Sequence, residues 1–281
     1  MYIVNGKWKM KMGNKMKIFF STALLAAVVA ICSVFANVGG GESRDGVYAG
    51  QKTSGQSLLD VRGYDGIRLE RKSYKVVYSK EWRLPVAVAW HLTRDHVYGK
   101  NQRSKMQFTE DMDVPAPRAT WQDYARSGYS RGHMCPAGDN KWDEEALRQT
   151  FLLTNICPQL YERNAGDWNE LEKKCRTWAR RYGNVYIVCG PILLNKVHRT
   201  IGRNKVVVPE AFYKVVLRLE NGGKAGKGIG FIYRNEDVKK KMSAYVNSID
   251  EVERITGLDF FAALPDNVEK TVEAKGDLGE W

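Results

Sequence analysis

The sequence predicts an α+β fold, with a mixed, mainly antiparallel sheet at its core and a few helices against it. Three observations predict this. Apolar runs of strand length recur at residues 74–79 (YKVVYS), 85–92 (PVAVAWHL), 184–189 (NVYIVC), 211–219 and 228–233. Residues 167–182 (DWNELEKKCRTWARRY) instead carry a helical stripe. Trp168, Leu171, Cys175, Trp178, Ala179 and Tyr182 recur at three-and-four spacing, with Lys and Arg on the other side. Strands and helices do not alternate regularly, which favours α+β over a doubly wound parallel sheet.

The elements follow in chain order. Lys7, Lys9, Lys11, Lys15 and Lys17 precede an uncharged run at 18–37 (IFFSTALLAAVVAICSVFAN). A basic stretch, an apolar stretch and the small residues of Val34-Phe35-Ala36 predict a signal peptide over 1–36, or an N-terminal anchor if it is not cleaved. The protein is therefore expected to be exported, secreted or periplasmic. Residues 37–57, rich in Gly and Ser, predict a flexible spacer, and 58–281 a single domain. Within that domain, residues 93–127 are polar and irregular with Pro115 and Pro117, which predicts a long functional loop. A short helix is expected near 143–150 and a glycine-rich turn at 221–228. Helices at about 236–246 and 248–256 close the chain.

The 281 residues are 43% hydrophobic and 27% charged, with eight Trp and fourteen Tyr, which excludes a disordered chain. The net charge is +12; removing 1–36 takes five of those charges and leaves +7. A positive surplus suits a polyanionic partner. Cys135, Cys157, Cys175 and Cys189 lie beyond the leader, and disulfides and buried free thiols both remain open. No pair has the CxxC spacing of a zinc site.

There are four histidines. His91 sits in an apolar strand and reads as a core histidine. His96 and His198 read as solvated loop residues, and none has the HExxH spacing of a zinc protease. His133 differs in context: it lies in YSRGHM (129–134), beside Gly128, Gly132 and Gly138 and two residues after Arg131. Downstream, residues 154–172 (TNICPQLYERNAGDWNELE) are dense in amide side chains, among them Asn155, Gln159, Asn164 and Asn169. Amide oxygens with a carboxylate suit magnesium rather than zinc. One histidine beside that set fits a general base next to a single hydrated ion.

Residues 129–134 resemble the DRGH signature of the DNA/RNA non-specific endonucleases, the ββα-metal nucleases that include secreted bacterial nucleases and mitochondrial endonuclease G. Residues 155–159 (NICPQ) resemble that family's N-I-x-P-Q segment, with Asn164, Trp168 and Glu172 at the expected distance. Val188-Cys189-Gly190-Pro191, Val208-Pro209, Phe212-Tyr213-Lys214 and residues 256–261 (TGLDFF) continue the likeness, which spans roughly 65–265.

The resemblance implies a ββα-metal active site and hydrolysis of DNA and RNA to 5′-phosphate products, without sequence preference. It implies Mg²⁺, with Mn²⁺ as a substitute, and no small-molecule cofactor. By position, His133 is the general base and Asn164 the direct metal ligand, and Glu172 holds a metal-bound water. Arg131 lies at the scissile phosphate, Arg103 is a second substrate-binding arginine, and Asn155 braces the site. Ser130 stands where the family has Asp and brings no charge to this supporting position. Two other classes compete: a basic nucleic-acid-binding protein without activity, and a phosphodiesterase for small nucleotides.

Overall fold

Strands β1 (Ile67–Glu70), β2 (Lys75–Ser79) and β3 (Leu84–Thr93) open the fold, and β4 (Ser130–His133) and β5 (Ile156–Gln159) form a separate antiparallel pair. Then come β6 (Asn184–Ile192), β7 (Ala211–Arg218), β8 (Lys227–Arg234) and β9 (Val246–Asn247). Seven of these make one sheet in the order β9-β8-β7-β6-β3-β2-β1, antiparallel at every step. The computed structural model describes residues 2–4, 7–9, 57–220 and 226–281. The apolar run of the expected leader, the 37–57 spacer up to its last residue, and most of the 221–228 turn lie outside the described residues. Two units are distinguished, Met1–Val47 and Tyr48–Trp281. In the first, Tyr2–Val4 pairs antiparallel with Lys7–Lys9; the second carries everything below.

The central strands are apolar on both faces because helices cover both. Helix α2 (Asn169–Tyr182; α1 is Glu144–Gln149) buries Leu171, Cys175, Trp178 and Ala179, the stripe its spacing predicts. Trp178 stacks near Phe231 of β8, ring centroids 6.2 Å apart, and Trp168 meets Phe212 of β7 at 5.7 Å. Alternate residues of β7 face the other way, where Tyr213 packs on Phe260 at 5.3 Å. That second face is covered by α3 (Ile249–Thr256) and α4 (Asp266–Glu273). Gly230 lets α3 approach closely, since a Cβ there would come within 2.7 Å of Val252.

Four elements differ from expectation. Residues 236–246 do not form a helix; they hold a short 3₁₀ turn, Met242–Tyr245, and enter β9. The buried Arg163 guanidinium donates to the carbonyls of Glu236 (3.3 Å) and Val238 (2.6 Å), and the Lys240 amide donates to the Tyr245 hydroxyl (3.0 Å). The distant Arg163 and the nearby Tyr245 hydroxyl thus take backbone groups a helix would use. The regular part of α2 begins two residues late, because Asn164–Trp168 form a wide π-type turn with Gly166 out of helical geometry. Strand β1 and helix α4 are additional to the expected elements. β1 is a four-residue edge strand, and α4 begins directly after Pro265.

Candidate active site

The β4–β5 pair and the helical segment after it carry the signature residues. Register places Ser130 opposite Gln159, Arg131 opposite Pro158, Gly132 opposite Cys157 and His133 opposite Ile156. Gly132 is required by space: a Cβ there would lie 2.0 Å from Oε1 of the buried Gln159. Gly128, before the strand, is required by its backbone, with φ +82°.

Two contacts fix the chain around His133. Asn155, fully buried, accepts from the Cys135 amide (2.9 Å) and donates to the carbonyls of Cys135 (2.9 Å) and Thr150 (2.8 Å). The indole of Trp168 donates to the His133 carbonyl at 3.3 Å, tying the strand to the turn that precedes α2.

The His133 ring is 6% exposed and packs between Phe108 and Phe151, with centroids 5.3 and 4.9 Å away. Its Nε2 has no hydrogen-bond partner. Burial, reinforced by the positive charges of Arg103 and Arg131, pushes its pKa down to about 3. The ring is therefore neutral at physiological pH.

His133 lines a cleft of about 400 Å³ together with Arg103, Lys141, Asn164, Glu172 and Arg176. Four residues singled out in the sequence thus meet here: His133, Asn164, Glu172 and Arg103. Arg131 stands at the rim, exposed, its guanidinium 4.6 Å from the centre of the Phe108 ring that packs on His133. Ser130 begins β4, and Asn155 ends the short 3₁₀ turn, Leu153–Asn155, that leads into β5. Asn164 and Glu172 are not on one ideal helix, because the wide turn at Gly166 intervenes, yet both side chains reach the same cleft.

Next to the cleft lies a layer of buried charged side chains. Asp139, 2% exposed, accepts from Arg176 (2.8 Å) and from the Trp90 indole (3.1 Å). Lys214 is fully buried, its Nζ 4.5 Å from the Trp168 ring centre and 5.2 Å from that of Trp90. Burial opposes the charge on Lys214, and the neighbouring Cys189, Cys175, Glu172 and Asp139 more than offset it. Burial pushes Glu172 up to about 7; Asp139 adds to the rise, and Lys214, Arg176 and Arg103 oppose it.

The sequence reading passed over Arg176, Asp139 and Lys214 as site residues. Arg176 lies four residues after Glu172 on the same helix face, a spacing that pairs charges. Lys214 interrupts an otherwise apolar inward-facing strand, and a lone charge there is itself a signal.

The other histidines stay outside the cleft. His91 stacks on Tyr186 at 4.2 Å, and His198 Nδ1 lies 3.0 Å from Glu210. His96, expected to be solvated, is half-buried and stacked on Trp142 at 4.4 Å. Cys135, Cys157, Cys175 and Cys189 are free buried thiols, which resolves the choice left by composition.

Comparison with known proteins agrees with this arrangement. The family model for DNA/RNA non-specific endonuclease matches residues 59–267. The mitochondrial nuclease EXOG of Xenopus laevis is 36% identical over 222 residues, 73% of this chain and 62% of that protein. Mitochondrial endonuclease G of Homo sapiens is 34% identical over 202 residues, 68% of each chain. Among solved structures, one of the EndoG/EndoGI complex superposes with TM-score 0.69 and 29% identity, covering 75% of this chain and 94% of that one. The chain spans about three fifths of the length of the EXOG proteins it resembles.

These relatives correct one expectation. EXOG and endonuclease G are mitochondrial by name, which overturns the expectation that the protein is exported. Among the described residues no helix is long and apolar enough to cross a membrane. The match over residues 59–267, the sheet order and the residues gathered around His133 lead to one conclusion: this chain belongs to the DNA/RNA non-specific endonuclease family.

Proposed function

We propose that residues 58–281 form a single catalytic domain that hydrolyses phosphodiester bonds of DNA and RNA with the help of one Mg²⁺ ion. The observation that carries this reading is Nε2 of His133: buried, unpartnered, and set in the wall of a cleft shared with Asn164 and Glu172. An orphaned ring nitrogen beside an amide and a carboxylate has no structural use, and it suits a base waiting for a proton.

The donor set fits a hard cation. Asn164 offers an amide oxygen as direct ligand, and Glu172 a carboxylate that holds a bound water; neither is a soft ligand. Mn²⁺ serves as a substitute. When bound, the ion neutralises charge on the phosphate and on the departing 3′-oxygen.

The protein's own groups carry the rest. Neutral His133 takes a proton from the water that attacks phosphorus; the bond to the 3′-oxygen breaks, leaving 5′-phosphate and 3′-hydroxyl ends. Arg103 and Arg131 bind the phosphate, and Arg131 supplies positive charge where the transition state gains negative charge. The same two arginines depress His133 in the free protein. A phosphate seated between them offsets that field, so His133 becomes more basic when substrate arrives. Asn155 keeps the turn after His133 in place, and Ser130 supports the strand without adding charge. All these groups address phosphate and water rather than base edges, which accounts for the absence of sequence preference.

Digestion of plasmid DNA and of RNA, with and without EDTA, tests the reading. Loss of both polymers that EDTA abolishes is the expected result. A gel shift without cleavage, or cleavage that EDTA leaves intact, overturns it.

A further inference from the structure

The face of the sheet opposite the cleft carries a second cluster of acidic side chains that the hydrolytic reading does not use. Asp250 and Glu253 lie one turn apart on α3, and Glu273 ends α4 beside them; a carboxylate oxygen from each lies within 4.8 Å of the others. Acidic residues at a surface usually point into water. Glu273 does not: it is 4% exposed, and its Oε1 has no hydrogen-bond partner. A buried carboxylate oxygen without a donor is costly unless it keeps a proton or a cation takes the proton's place.

The surroundings make the cost larger. The charges that act on Glu273 are, strongest first, Glu253, Glu269, Asp250 and Asp259, and those on Glu253 are Asp259, Asp250 and Glu269, all acidic. Burial together with that repulsion pushes Glu273 up to about 9 and Glu253 up to about 7. Glu253 already accepts one bond, from the Phe260 amide at 2.7 Å, which fixes its side chain and leaves the second oxygen available. Asp250 is exposed, so the cluster is open to solvent on one side and supplies room for water ligands.

We propose that Asp250, Glu253 and Glu273 form a calcium site that clamps α3 to α4, distinct from the hydrolytic cleft. All three donors are hard oxygens, which excludes the softer metals. Among the hard ions calcium suits this set better than magnesium: it takes carboxylates and waters in a flexible shell, whereas magnesium demands a near-ideal octahedron and keeps most of its own waters. Calcium also accepts bidentate carboxylates and several waters, as this half-open cluster requires.

Calorimetric titration of CaCl₂ into the EDTA-stripped full chain tests this, with wild type, Asn164→Ala and the double variant Glu253→Gln/Glu273→Gln compared. Calcium binding is expected to persist in Asn164→Ala and to weaken by at least about 10–100-fold in the double variant, the range already seen when only supporting groups are lost. Melting in EDTA gives a second reading. Addition of calcium is expected to raise the melting temperature of wild type and of Asn164→Ala but not that of the double variant. Calcium binding that disappears in Asn164→Ala, or that is unchanged in Glu253→Gln/Glu273→Gln, overturns the site. So does calcium that raises the melting temperature of the double variant as much as that of wild type. None of these outcomes depends on whether the cleft cleaves nucleic acid.

Discussion

Asn155→Ala is the substitution whose cost the structure defines best. The side chain is fully buried and makes three hydrogen bonds, at 2.9, 2.9 and 2.8 Å, to Cys135 and Thr150. Alanine removes all three and leaves one amide and two carbonyls buried without partners. At about 1 kcal/mol net per bond, with a further desolvation cost for each stranded group, the loss is about 3–5 kcal/mol. For a domain of this size that corresponds to a melting temperature lower by roughly 10 °C. Urea unfolding monitored by tryptophan fluorescence measures it. Asn155→Asp is the informative partner. It keeps the acceptor for the Cys135 amide but turns two donations into oxygen facing oxygen, so it is expected to be no more stable than the alanine variant. Both variants are expected to lower kcat more than they raise KM, since the bonds hold the turn after His133 rather than the substrate. A loss below about 1 kcal/mol, or an Asp variant clearly more stable than the Ala variant, refutes the assignment of these bonds to Asn155.

Three other outcomes are expected. Lys214→Met fills the same space between Trp90 and Trp168 but leaves Asp139 and Glu172 with one cation fewer. Cleavage is expected to fall by about 10–100-fold with little change in DNA affinity by gel shift, as for other groups that tune a metal site from behind. In EDTA, the melting temperature is expected to fall as pH rises from 5 towards 9, tracked by scanning calorimetry. Burial beside Glu253, Glu269, Asp250 and Asp259 pushes Glu273 up from the ordinary carboxyl range to about 9, so the folded state holds its proton more tightly than the unfolded one. That contribution is complete below the unfolded value and is lost as pH climbs through the folded one; Glu273→Gln is expected to flatten the profile. Reducing agent is expected to leave the melting temperature unchanged, because Cys135, Cys157, Cys175 and Cys189 are free thiols. A drop on reduction counts against that.

Legibility in the sequence followed the range of the forces involved. Strands β2, β3, β6, β7 and β8 and helix α2 were readable because each buries an apolar run or stripe whose period is local. Residues 236–246 were misread because Arg163, more than seventy residues upstream, captures carbonyls that a helix would use, while the Tyr245 hydroxyl within the segment takes the Lys240 amide. The site divided in the same way. His133, Asn155, Asn164 and Glu172 were found through motif spacing, which is local. Arg176, Asp139 and Lys214 act through contacts between β7, α2 and the turn after His133, and those contacts exist only in the folded chain. The N-terminal residues show the limit of composition, since a basic stretch before an apolar one led to an expectation of export that the mitochondrial relatives overturned.

The central claim is that the unpartnered Nε2 of His133 is the general base of the cleft. Single-turnover cleavage of plasmid DNA by His133→Ala, at saturating Mg²⁺ and enzyme, tests it most directly, with DNA affinity measured alongside. The expected result is a rate lower by about 10²–10⁴-fold, the usual contribution of a positioned base, with affinity close to wild type. Cleavage by His133→Ala at a rate near wild type would contradict the claim.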